Sequence, residues 1–384
     1  MFRNFASLLL LLALGSSAVT AEDGRKILRR GNGVEPESLD PHRTRGVETQ
    51  NIMRDLYEGL TKHAADGSIA PGVARSWQVS DDGLLYTFVL RNDAKWSDGT
   101  PVTVHDFVFG LRRALQPATA SPYAKVLDVI ENAKAIVAGR AEPETLGVRA
   151  DSAGRLLIQL DMPAAHLPQL LALPVAFPVN RDSLAKASER FSRPENSVTN
   201  GAYLLASWRV HGHLELKKNP HYWNRNGVAI DTVIYYPLND ENAELSRFRA
   251  GELDLTFTLP ARRVAWARRE QATALHLVPY LGTYFYGFNL TRPPFKDRPG
   301  LRRALSMVID RQVLAEKIMN SGDVAAWSWI PPGISGYQSA RLDYADWNHD
   351  KRLAAARKLY VAAGYGPENP LQLELRFNTG DNHR

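Results

Sequence analysis

The sequence contains no cysteine. A chain without thiols can form no disulfide framework, supply no cysteine nucleophile and offer no N-terminal cysteine to the lipid of a lipoprotein. Long apolar runs are scarce too. The marked one, Leu8 to Leu14, is too short to span a bilayer, which takes about 20 residues. Charge of one sign never gathers into a block. The formal charge is +6, but the basic residues fall in scattered pairs such as Arg29-Arg30, Arg262-Arg263, Arg268-Arg269 and Arg302-Arg303. Scattered pairs read as solvated surface and argue against a nucleic-acid partner, which would need a stripe or a tail. Enzyme motifs are missing as well: there is no His-Glu-x-x-His, no Gly-x-Ser-x-Gly and no P-loop. Ser335, in Gly333-Ile334-Ser335-Gly336, is one residue short of a nucleophile elbow. Gly31-x-Gly33 has Pro36 where a dinucleotide loop needs its third glycine. No catalytic residues, no cofactor and no metal are therefore expected. His211-x-His213 could share a strand face, but no third ligand is in view and it reads as an exposed pair.

What is present is an exported globular chain. With 384 residues, 44% hydrophobic and 23% charged, it can bury at least two cores, since single domains rarely pass about 250–300 residues. Arg3, the apolar Leu8–Leu14 run and the small-residue site Val19-Thr20-Ala21 have the form of a secretory signal cleaved after Ala21. An exported, unanchored, disulfide-free protein fits the periplasm of a Gram-negative cell.

The stretch from Ala74 to Leu115 organises the rest. Ser80-Asp81-Asp82-Gly83 and Ser97-Asp98-Gly99 both end in Asp-Gly, the pair that supplies positive φ to tight turns. Leu84 to Leu90 predicts a strand with Tyr86, Phe88 and Leu90 on one face. Thr103-Val104-His105-Asp106 has the form of a capping box, and Val104, Phe107, Val108, Leu111 and Leu115 recur at helical spacing. The residue string is more specific than the pattern. Trp77-x-Val79-Ser80-x-Asp82-Gly83, Tyr86-Thr87-Phe88-x-Leu90-Arg91 and Lys95-Trp96-Ser97-Asp98-Gly99-x-Pro101-Val102-Thr103 together resemble the signature of the dipeptide/oligopeptide class of substrate-binding proteins that serve ABC importers. Gly33 to Pro41, Asn51 to Leu60, Asn200-Gly201-Ala202-Tyr203 and Asn219-Pro220-His221-Tyr222-Trp223-Asn224 resemble further parts of it.

Further elements follow in order. A helical stretch is expected around Val126 to Val137, and strands at Arg155–Leu160, near Leu204–Val210 and at Leu214–Lys217. Asn239-Asp240 can cap a helix from Glu241 to Ala250, closed by Gly251, with a strand from Leu253 to Thr258 beyond it. Helices carrying Leu301, Leu305 and Val308, and from Lys351 to Ala363, precede an alternating strand from Leu371 to Phe377.

The resemblance implies an α/β, two-lobed periplasmic binding protein fold with mixed sheets and an extra subdomain in the first lobe. Residues 22–58 and 182–282 would form the first-lobe core, 59–181 the extra subdomain and 283–384 a partial second lobe, the chain reading as truncated at its C-terminus. It implies a monomer that grips a short peptide between the lobes and delivers it to an inner-membrane ABC permease complex. In the family a strand after Leu39-Asp40-Pro41 pairs with the ligand main chain, and the matching positions are Arg45, Gly46 and Val47. Arg45 stands where close relatives commonly carry an acidic residue. Tyr123, Tyr280, Phe285, Asn378 and His383 match other positions lining the cleft. Alternative ligands on the same fold are murein peptides, nickel chelates or sugars; a periplasmic hydrolase would need a motif that is not here.

Overall fold

The computed structural model describes residues 24–278, 280–334 and 337–377. The chain divides into two compact units, Met1–Pro237 with Glu252–Leu255, and Leu238–Gly251 with Thr256–Arg384.

Unit 1 is built on two four-stranded sheets. The first contains β1 (Ile27–Gly31), β8 (Tyr203–Arg209), β9 (His213–Lys218) and β10 (Thr232–Tyr236), in the order β1-β10-β9-β8. β1 and β10 run parallel and the other pairs antiparallel, so the sheet is mixed. Beside β1 the chain returns after a helical crossover, and the Gly31 amide donates to the Leu255 carbonyl at 2.9 Å. The strand expected from Leu253 to Thr258 is reduced to this one parallel bridge, Arg30 to Leu255. The second sheet orders β4 (Ala74–Val79), β5 (Leu85–Leu90), β7 (Leu156–Gln159) and β6 (Val148–Ala150). A short ribbon pairs β2 (Thr61–His63) with β3 (Ile69–Pro71).

The local chemistry explains these elements. Gly83 takes φ +72° in the β4–β5 turn, a conformation that costs glycine nothing, and Ser80 closes the hairpin by donating to the Leu85 carbonyl. Tyr86, Phe88 and Leu90 are the buried face of β5. The capping box of Thr103 and Asp106 opens helix α2 (Val104–Leu115), whose Val104, Phe107, Leu111, Ala114 and Leu115 turn inward. Helix α1 (Gly46–Leu56) buries Thr49, Ile52, Met53 and Leu56. The helix expected from Val126 to Val137 is broken: a 3-10 turn, Ala124–Leu127, is followed by α3 (Ala133–Val137). Asn132 causes the break. It sits at φ +65°, where asparagine is tolerated, and its amide donates to the Thr145 carbonyl at 2.8 Å. Short helices α4 (Leu167–Leu170) and α5 (Arg181–Ala187) complete the unit. One continuous apolar core, including Trp96, Tyr57, Phe88, Phe107 and Tyr235, joins both sheets.

Unit 2 is helical: α6 (Glu241–Arg249), α7 (Val264–Glu270), α8 (Pro299–Val308), α9 (Arg311–Val313) and α10 (His349–Ala362). Asp240 caps α6 through the Asn242 and Ala243 amides, as its sequence suggests. A small core gathers Ala304 and Met307 of α8, Ala356 of α10 and Tyr344, with Trp327 and Trp347 against it. The alternating segment from Leu371 to Phe377 belongs to no ladder among the described residues, and Leu373, Leu375 and Phe377 are exposed. Alternation makes a strand only where a neighbouring strand accepts its hydrogen bonds. No helix among the described residues is long and apolar enough to cross a membrane.

Candidate ligand-binding site

Three of the singled-out strings meet around one buried carboxylate. Glu58, just past the end of α1, is almost fully buried. One of its carboxylate oxygens accepts from Trp223 Nε1 at 2.6 Å, and the other accepts from Tyr222 Oη and, at 2.9 Å, from Lys62 Nζ. Its backbone is matched in both directions by Asn200, whose Oδ1 accepts from the Glu58 amide and whose Nδ2 donates to the Glu58 carbonyl. Gly201 then lies so close to α1 that a Cβ would come within 2.5 Å of the Asp55 carbonyl. Asn219 Nδ2 donates to the Gly201 carbonyl at 3.0 Å. The strings at 51–60, 200–203 and 219–224 are thus scaffold that fixes the C-terminal end of α1. Burial, and then the adjacent Glu58 carboxylate, pushes the Tyr222 hydroxyl pKa far up, so it remains a donor. Asp55, on the same helix, accepts from Tyr235 Oη at 2.7 Å, and burial raises its pKa.

A second network fixes the other end. Arg113 of α2 donates to both carboxylate oxygens of Asp40, at 3.0 and 2.6 Å, and to His42 Nδ1 at 2.8 Å. That contact requires an unprotonated Nδ1, so His42 Nε2 carries the proton and donates to the Phe177 carbonyl at 2.9 Å. Complete burial is the main cause that brings the His42 pKa down to about 4. Burial works against the Asp40 carboxylate, but the Arg113 hydrogen bond and the surrounding charges hold it below the usual range.

Leading out of this network, the chain presents Arg45, Gly46 and Val47. All three are exposed, Val47 at 41%. Arg45 is extended (φ −132°, ψ 158°). Gly46 stands at φ +77°, and from there the backbone is helical. The strand expected here is therefore one extended residue followed by the first turn of α1. The reason is the helical spacing of Thr49, Ile52, Met53 and Leu56, whose burial carries the helix back to Gly46. Tyr123 is 39% exposed at the head of the 3-10 turn. Its segment is tied to the first one through Arg43, whose Nε donates to the Thr119 carbonyl at 3.0 Å.

Tyr280 and Phe285 belong to unit 2, at 75% and 55% exposure. The Phe285 ring lies 4.5 Å from that of Trp329, centroid to centroid. Trp329 was not legible as a neighbour of Phe285, because neither residue sits on a periodic element. Asn378, His383 and Ser335 lie outside the described residues. His211 turns at φ +58° and His213 opens β9, so the two do not share a strand face. Among the described residues no three His, Cys, Asp or Glu side chains gather to hold a metal.

Residues 68–383 match the family model of bacterial extracellular solute-binding proteins, family 5 (middle). The chain belongs to this family. It is 37% identical to the periplasmic oligopeptide-binding protein OppA of Salmonella typhimurium, over 98% of this chain and 71% of that protein. The periplasmic murein peptide-binding protein MppA of Escherichia coli is 39% identical, over 91% of this chain and 65% of its own length. The chain thus spans about two thirds of the length of these relatives. Among solved structures, Haemophilus influenzae OppA in complex with RPPGFSPFR superposes with TM-score 0.87 at 34% identity, over 94% of this chain and 71% of that one. The Escherichia coli murein tripeptide-binding protein MppA gives 0.89 at 38% identity, over 94% and 70%. The family's fold is that of the two-lobed periplasmic binding proteins, with α/β architecture and mixed sheets, and its members bind solutes.

Proposed function

We propose that the protein is the periplasmic substrate-binding component of an ABC importer, capturing short peptides and delivering them to an inner-membrane permease complex. The observation that carries this reading is the extent of the likeness: a match over most of the chain to relatives most of which are named as peptide-binding, one being named as deoxycholate-binding. In this reading the N-terminal segment is a signal removed after Ala21, the mature protein carries no lipid anchor, and it acts as a monomer without cofactor or catalysis. The reading takes the lobe division that the resemblance implies, with 22–58 and 182–282 in the first core, 59–181 as its extra subdomain and 283–384 in the second.

The ligand would meet Arg45, Gly46, Val47, Tyr123, Tyr280, Phe285, Asn378 and His383, the positions that the resemblance implies. Gly46 removes a side chain where another backbone has to approach, and Arg45 offers a cation to an acidic group of the ligand. Micromolar to nanomolar capture corresponds to about −8 to −12 kcal/mol, within reach of binding alone. Murein peptides are a second reading, favoured by the murein peptide-binding relative at 39% identity. Titration calorimetry of the protein against a mixed peptide library and against murein tripeptide tests both. Saturable heat with library peptides and intact peptide recovered afterwards supports the main reading. Heat with the murein peptide alone shifts it to the second, and cleaved peptide sinks both.

A further inference from the structure

Unit 1 carries a cavity of about 610 Å³ whose wall includes Arg43, Arg112, Arg113 and Arg181, facing the carboxylates of Glu144 and Glu189. Its floor is one helical stripe of α2, since His105, Phe109 and Arg112 recur at spacings of three to four residues and so share a face, with Gln116 at the cap that follows. The opposite wall is α5 with the turn after it.

The four arginines are not equivalent. Arg113 spends both its terminal nitrogens on Asp40 and His42. Arg43 is engaged by Glu189 and by the Thr119 carbonyl. Arg112 donates Nη2 to the Glu144 backbone carbonyl at 3.0 Å, while its Nε is buried without a hydrogen-bond partner. Arg181 lies with its guanidinium 5.7 Å from the centre of the Phe109 ring. Among the described residues neither Arg112 nor Arg181 has a carboxylate within 4.0 Å. Arg112 and Arg181 are therefore the cations of this lining without a carboxylate, and the unmatched buried donor adds to the cost of leaving Arg112 as it is. Guanidinium groups match phosphate and carboxylate oxygens in particular.

We propose that this cavity is an anion site, separate from the peptide-binding residues, that takes a small molecule bearing a phosphate or carboxylate group. The oxygens would be held by Arg112 and Arg181, with Phe109 and Leu184 as the apolar wall for the rest of the ligand. The opening is wide enough for a small organic anion, being in the range of ligand pockets generally. The same head group could belong to a free metabolite or to a lipid.

The test uses pyrophosphate and citrate as soluble probes, in calorimetry at constant ionic strength to hold screening fixed. Vesicles of phosphatidylcholine with and without phosphatidylglycerol form the second arm. The expected result is saturable binding in one arm, weakened about tenfold or more by Arg112→Gln and by Arg181→Gln, with peptide affinity unchanged. Arg112→Gln removes the unmatched buried donor together with the bond to the Glu144 carbonyl, so its unfolding temperature is read beside its binding. No saturable binding of either probe or of anionic vesicles overturns the proposal. So does binding that both variants leave intact, or an Arg112→Gln variant that unfolds earlier yet binds anion as before. Peptide binding is read on the same samples, so failure of the anion site and failure of the peptide reading are separate results.

Discussion

Protonating His42 would set a second positive charge against Arg113, in a site with no room for water to shield it. The unfolded chain takes up that proton near the ordinary pKa of 6.5, whereas the folded chain resists until about 4. Between those values the unfolded state binds more protons, so stability is complete above pH 6.5 and falls as the pH drops towards 4. The size follows from the shift and is on the order of 3 kcal/mol. Asp40 adds a loss at still lower pH, because its folded pKa is depressed and its stabilisation goes only as the pH falls through that value. Urea unfolding at pH 7.5 and 4.5 should show the difference, and His42→Gln, which removes the titration, should flatten it. Arg45 lies in no such network, and its contribution should be to choice of ligand. Arg45→Glu is expected to move preference from acidic towards basic peptides by a few-fold, within the roughly 0.2–1 kcal/mol of an exposed charge pair. Competition calorimetry with peptides differing in one charge would read it.

Among the elements, α1 is held at both ends, by Asp40, His42 and Arg113 before it and by Glu58, Tyr222, Trp223 and Asn200 after it. Glu58→Ala strands Lys62, Tyr222 and Trp223 without their acceptor, and should cost about 3–5 kcal/mol in urea unfolding. A cost below about 1 kcal/mol would show that the three strings do not depend on this carboxylate. The sequence made some elements legible because local chemistry and tertiary demand agree. In β5 the alternation and the buried face coincide, and in α2 the capping box and the apolar stripe start together. It misled where the outcome depends on a distant partner. Leu371–Phe377 alternates but joins no ladder among the described residues, and Leu253–Thr258 keeps one bridge because only β1 is there to receive it. Asn132 broke a helix that periodicity alone would continue, and helical spacing beyond Val47 overrode the expected strand at Gly46.

On the scale of the whole molecule, the low-frequency strings were enough to point to the family, and several of them are joints of the scaffold, bonded to one another around Glu58. Tyr222, Trp223 and Asn200 each hydrogen-bond to Glu58, and Gly201 lies where a Cβ would meet the Asp55 carbonyl. The residues proposed to meet the ligand leave a fainter trace: Arg45, Val47, Tyr123, Tyr280 and Phe285 are all exposed, with no period or cap to mark them. The arginine cavity left no trace at all, since its residues come from Arg43, α2 and α5, far apart along the chain. Function is therefore decided by binding itself. The most direct measurement is titration calorimetry of the protein against short peptides of varied length and charge. The account predicts saturable binding at one site with the peptide returned uncut. A folded protein that gives no heat with any of them would contradict it.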